Sequence, residues 1–103
     1  MNIYTTETMP PLGKESFETL YTRPGVVIEK ICSNRLENGQ WYDQEGDEWV
    51  VLLQGSALLE FEAGKICEMA AGDCRFIPAR TRHRVAETSE DALWLAVHFE
   101  RTD

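Results

Sequence analysis

From Val26 onward the chain falls into seven short apolar or alternating runs, each closed by a turn signal, and this spacing restricts the fold more than any other feature. The runs are Val26–Ile31, Trp49–Leu53, Ala57–Phe61, Lys65–Met69, Cys74–Pro78, His83–Glu87 and Ala92–Phe99. Between them lie "PG" at Pro24, "ENG" at Glu37, "QGS" at Gln54, "AG" at Ala63, "AAGD" at Ala70 and "SED" at Ser89. Gly, Asn, Asp and Ser at those points favour tight turns, and many short strands between tight turns read as an all-β sandwich or barrel.

One run is unusual. "WVVLL" is apolar at both parities, so Trp49, Val51 and Leu53 are as unsuited to water as Val50 and Leu52. Such a strand needs cover on both faces, from a second sheet layer or from a partner subunit, and a homodimer is the expected partner. Immediately before it stands Glu48. An unpaired carboxylate at the mouth of a buried strand costs several kcal/mol, roughly, so a partner for it is expected.

Toward the N-terminus, "GKESFETLY" (Gly13 to Tyr21) places Phe17, Leu20 and Tyr21 on one helical face, which predicts a single short helical turn. Residues 1–20 read as an N-terminal arm and residues 21–103 as the barrel domain. A chain of 103 residues buries roughly 60 to 65 per cent of its unfolded surface in one core, which leaves no room for a second domain.

The formal net charge of −8 argues against nucleic acid as a partner, because that binding depends on Lys and Arg neutralising phosphates. Small molecules or metal cations fit better. No stretch approaches the roughly 18 apolar residues of a membrane span, and the start has neither a basic nor an apolar signal region. The expectation is a soluble, cytoplasmic protein. Cys32, Cys67 and Cys74 are odd in number and lack CxxC spacing, so they read as buried small hydrophobes rather than a disulfide or zinc framework.

Two spaced signatures carry the functional reading. Glu48 is followed after six residues by Gly55, and "GDCRFIPARTRH" sets Gly72, Pro78 and His83 at fixed intervals. Together they resemble the two motifs of the cupin superfamily, small jelly-roll β-barrels, over about Val26 to Phe99. The resemblance implies a divalent metal inside the barrel, held by two histidines and a glutamate of the first motif and one histidine of the second. Carried over by position, the glutamate is Glu48 and the later histidine is His83. The two earlier histidines fall on Tyr42 and Gln44 in one register, or on Trp41 and Asp43 in the other, and neither register contains a histidine. Arg80 stands where a glycine is usual, and Glu87 where an asparagine is.

The candidate metal ligands are therefore Glu48 and His83 with Gln44 or Asp43. Parity puts Gln44 on the line of Glu48, Val50 and Leu52, whereas Asp43 reaches the pocket only through a bulge. One imidazole among oxygen donors makes a hard, weak site suited to Mn²⁺, Mg²⁺ or Ca²⁺, while the resemblance itself implies Mn, Fe, Ni or Zn. Tyr42, Trp41, Arg80 and His98 are candidate pocket residues, with Arg82 and Arg84 facing out if His83 faces in. No GxSxG, HExxH, GxGxxG or Walker signature is present. The leading expectation is weak divalent-metal binding in the barrel. A metal-free module for a small organic ligand, or a homodimeric interaction barrel, is the alternative.

Overall fold

The computed structural model describes residues 1–100. Eight strands follow the chain: β1 (Lys14–Arg23), β2 (Val26–Asn34), β3 (Asp47–Gln54), β4 (Ser56–Phe61), β5 (Lys65–Ala70), β6 (Cys74–Ile77), β7 (His83–Thr88) and β8 (Ala92–Phe99). A single 3-10 turn (Glu62–Gly64) separates β4 from β5. A five-stranded antiparallel sheet, in the order β1-β2-β8-β3-β6, packs against a three-stranded sheet, β5-β4-β7. The fold is all-β, as the strand spacing predicted, and a jelly-roll barrel, as the cupin resemblance implied.

Alternation along each strand builds the interior. Val50 and Leu52 of β3, Trp94 and Ala96 of β8 and Ile77 of β6 meet Ala57, Leu59 and Phe61 of β4 in one buried cluster. Leu52 and Ala96 are fully buried. Burial of such side chains is worth about 1.5–3 kcal/mol each and drives the two sheets together. Gly55, with φ +88°, turns the chain from β3 of one sheet into β4 of the other. That left-handed conformation is the reason a glycine closes the first motif.

Two expectations are corrected. Gly13–Tyr21 forms no helical turn: Lys14–Arg23 is β1, paired with β2 from Lys14↔Asn34 to Arg23↔Val26. The register shift between Thr19 and Tyr21 falls at Leu20, and an apolar residue there beside Phe17 and Tyr21 imitates the i, i+3, i+4 spacing of a helical face. The boundary expected at residue 20 thus falls inside a strand of the barrel. The cysteines differ from one another: Cys32 is buried, but Cys67 is half-buried and Cys74 exposed. Cys74 starts β6, an edge strand of the larger sheet.

On β3 the second sheet covers only one parity. Val50 and Leu52 are buried, whereas Trp49, Val51 and Leu53 on the outer face remain half-buried.

Candidate functional site

A cavity of about 360 Å³ opens between the sheets. Its walls are mostly apolar, with a polar group set on them by strand register. Glu48 comes from the start of β3 and His83 from the start of β7 on the opposite sheet. The start of β7 is tied to the segment before β3 by Tyr42, which exchanges two hydrogen bonds with His83: Tyr42 N donates to His83 O at 2.7 Å and His83 N to Tyr42 O at 3.0 Å. Above this bridge, Ala79 N donates to the Asp47 carboxylate at 2.8 Å and secures the loop that leads into β7.

His83 Nδ1 lies 2.7 Å from the Thr81 carbonyl oxygen. A carbonyl only accepts, so Nδ1 carries the proton and Nε2 is the lone-pair nitrogen of the neutral ring. That nitrogen faces Glu48 Oε1 at 3.5 Å, with both side chains about nine-tenths buried. Two lone pairs facing each other repel, so the pair is favourable when it holds a proton. Burial opposes the charged imidazole, but the Glu48 carboxylate and the Thr81 carbonyl outweigh it and raise the His83 pKa above its ordinary 6.5.

A second imidazole–carboxylate pair lies on the same cavity. His98 Nε2 is 3.2 Å from Glu29 Oε1, and both residues line the cavity with Glu15, Tyr42 and Gln44. Glu15 accepts a hydrogen bond from Ser33 Oγ at 3.1 Å. Burial foremost, then the charge of Glu29, pushes its pKa up, although the Ser33 bond works the other way. Burial, followed by Glu15, Glu29 and Glu48, likewise pushes the Tyr42 phenol up.

Of the residues singled out in the sequence, Glu48, His83, Gln44, Tyr42 and His98 line this cavity. Asp43, Trp41 and Arg80 do not. Asp43 is on the surface, 3.3 Å from Arg80 Nε, because no bulge turns it inward. Trp41 lies beneath the guanidinium groups of Arg82 and Arg84, at 4.4 and 4.8 Å from its ring centre, which places those two arginines outside as alternation predicted. Arg80 has φ +61°, a left-handed conformation that accounts for the glycine usual at that position. Its backbone N–H is used on Gln44 O at 2.7 Å.

Glu15 and Glu29 are absent from the sequence-based set. Glu29 had a readable signal: it shares parity with Val27 and Ile31 within an apolar run, the same anomaly that drew attention to Glu48. Glu15 had none, since β1 itself reads as helical.

The donors do not fit the four-ligand metal centre implied by the cupin resemblance. Among the described residues no three His, Cys, Asp or Glu side chains converge on one point. Two positions of the implied set are Tyr42 and Gln44, and His98 is turned to Glu29.

The two-sheet barrel with a mostly apolar, ligand-sized cavity between its layers defines a small β-barrel of the jelly-roll class. The Cupin domain family pattern matches residues 36–98, and the chain belongs to that family. Among solved structures it is similar to a Ralstonia eutropha JMP134 protein provisionally described as a mannose-6-phosphate isomerase. The two are 39% identical over 98% of this chain and 97% of that one, with a TM-score of 0.86. It also shares its fold with KdgF from Halomonas sp. (21% identity, 86% and 81% of the chains, TM-score 0.76). An RmlC-like cupin from Shewanella frigidimarina NCIMB 400 is similar as well (17% identity, 95% and 86%, TM-score 0.76). A search of curated proteins gave no match.

Proposed function

We propose that this cupin is a small-molecule-binding barrel whose ligand sits in the cavity over the Glu48–His83 pair and works without a tightly held metal. The observation that carries this reading is the pairing itself: a nine-tenths-buried carboxylate has an imidazole nitrogen 3.5 Å away, in an apolar-walled cavity of ligand size. A proton shared by such a pair can be passed to or taken from a bound group, which gives the site acid–base capacity. A fragment screen by NMR tests the reading. Ligands are expected to shift the His83 and His98 ring signals and to lose affinity in Glu48→Gln, and an empty screen at millimolar fragment concentration would sink it.

A second reading, weak binding of a divalent cation by Glu48 and His83 with the Gln44 amide oxygen, is favoured by one feature. The Thr81 bond leaves His83 Nε2 as the ring's free lone pair, the form a metal requires. Mass-spectrometric metal analysis of protein purified without chelator, followed by titration with Mn²⁺, Fe²⁺, Ni²⁺ and Zn²⁺, separates the two. Stoichiometric metal that disappears in both Glu48→Gln and His83→Ala would replace the first reading by the second.

The same proposal includes a homodimer formed through the outer face of β3 and β8, where Trp49 and Val51 stand opposite Val97 and Leu95. Three free thiols agree with a reducing, cytoplasmic setting.

A further inference from the structure

The chemistry of the cavity wall specifies a ligand class. Three carboxylates, Glu15, Glu29 and Glu48, line the cavity, and among the described residues no Lys or Arg does. With His83 and His98 both protonated the five groups still sum to a net negative charge. The nearby arginines are engaged elsewhere: Arg84 with Glu60 at 2.7 Å, Arg80 with Asp43 and Arg82 over Trp41.

A phosphate or carboxylate entering this space would meet a wall whose described residues carry net negative charge even with both imidazoles protonated, in surroundings where charge repulsion is poorly screened. A phosphorylated sugar is therefore a poor fit, although the Ralstonia relative is described provisionally as acting on one.

Two further features point the same way. Glu48 is 7% exposed, and its imidazole neighbour lies at 3.5 Å, long for a charge-assisted hydrogen bond, so this buried carboxylate is under-compensated. In addition, Phe17, Tyr42 and Trp94 are part of the lining. Aromatic faces attract cations through the negative face of the ring, and rings combined with carboxylates are the usual surroundings of a bound organic ammonium.

We infer that the cavity selects an organic ammonium with a compact apolar body, its cationic nitrogen drawn by a wall that carries Glu15, Glu29 and Glu48 and its carbon skeleton against the aromatic and aliphatic part of that wall. This rests on the small-molecule reading above and narrows it. A metal ion satisfies the charge but leaves the apolar wall unused.

The test compares three probes of one shape, cyclohexylammonium, cyclohexanol and cyclohexanecarboxylate, by calorimetry on chelator-treated protein at pH 7. Cyclohexylammonium is expected to bind about tenfold or more tighter than cyclohexanol, with no heat from the carboxylate or from mannose 6-phosphate. Glu29→Gln and Glu48→Gln should each reduce that preference. Equal or tighter binding of the alcohol or the carboxylate overturns the charge assignment and leaves the cavity reading standing. Failure of cyclohexylammonium to bind also overturns it, and the fragment screen then decides whether the cavity reading falls as well.

Discussion

Glu48 and His98 stand directly opposite each other on β3 and β8, yet Glu48 and Glu29 are each matched with a different imidazole. His98 Nε2 meets Glu29 at 3.2 Å and Glu48 meets His83 at 3.5 Å. The cavity thus has two imidazole–carboxylate pairs, one between neighbouring strands β2 and β8 and one across the two sheets between β3 and β7, and the predictions below depend on keeping them distinct.

Replacing Glu48 by Gln removes the charge that raises the His83 pKa and leaves burial, which lowers it. The His83 titration, followed by NMR of the ring protons in chelator-treated protein, should move down. In the native protein the raised pKa means that the pair's contribution to stability is fully present below about pH 6.5. It is lost as pH rises through the folded-state value, and an upward shift in the variant would contradict the pairing.

At Glu15 the sign favours substitution. Its folded pKa is raised, so the native state holds its proton more readily than the unfolded chain does. The carboxylate's unfavourable effect is therefore present at neutral pH and vanishes below the ordinary carboxylate range. Glu15→Gln, which keeps an acceptor for Ser33, should raise Tm by a few degrees at pH 7, as roughly 0.5 kcal/mol would, and change it little at pH 4. The reverse pattern in thermal melts would refute this.

Gly55→Ala introduces two problems. The residue has φ +88°, and an added Cβ would run into Ser89 Oγ, which accepts from Ser56 N and donates to Asp91, each at 2.9 Å. Strain of this type costs about 1–3 kcal/mol, or about 4–8 °C of Tm per kcal/mol for a domain of this size. Chemical denaturation showing no loss would mean that the turn rearranges freely.

Leu52 is fully buried between the sheets, so Leu52→Ala should lower the unfolding free energy by about 3–5 kcal/mol. A loss below about 1 kcal/mol in urea would show that the core collapses around the gap.

For the outer sheet face, light scattering coupled to size exclusion should report a dimer at micromolar concentration and a monomer for Val51→Lys. A monomeric native protein would remove the dimer from the proposal.

Much of the architecture could be read because β2 to β8 are short, regular and separated by turn residues. Glu48 and His83 could be read because a carboxylate before an apolar strand and a histidine at fixed spacing after Pro78 belong to recognisable motifs. Residues that depend on local irregularity were harder. β1 imitated a helix because of its register shift, and Glu15 went with it. Asp43 and Gln44 were distinguishable only by parity, which required knowing whether a bulge intervened. Trp41 looked like a pocket aromatic, but pairing with guanidinium groups on the outer surface is a contact between distant segments that spacing does not encode.

The opening residues have a role of their own. Lys30 is only 5% exposed, and its ammonium donates to the Thr5 carbonyl at 2.8 Å, while Asn34 Nδ2 donates to Pro10 O at 2.9 Å. The segment before β1 is thus a clasp that closes over a cation set into the outer face of β2. Trimming the gene to begin at Gly13 would leave that cation without its acceptor, so a shortened version would be the wrong starting material for crystallisation or fusion work.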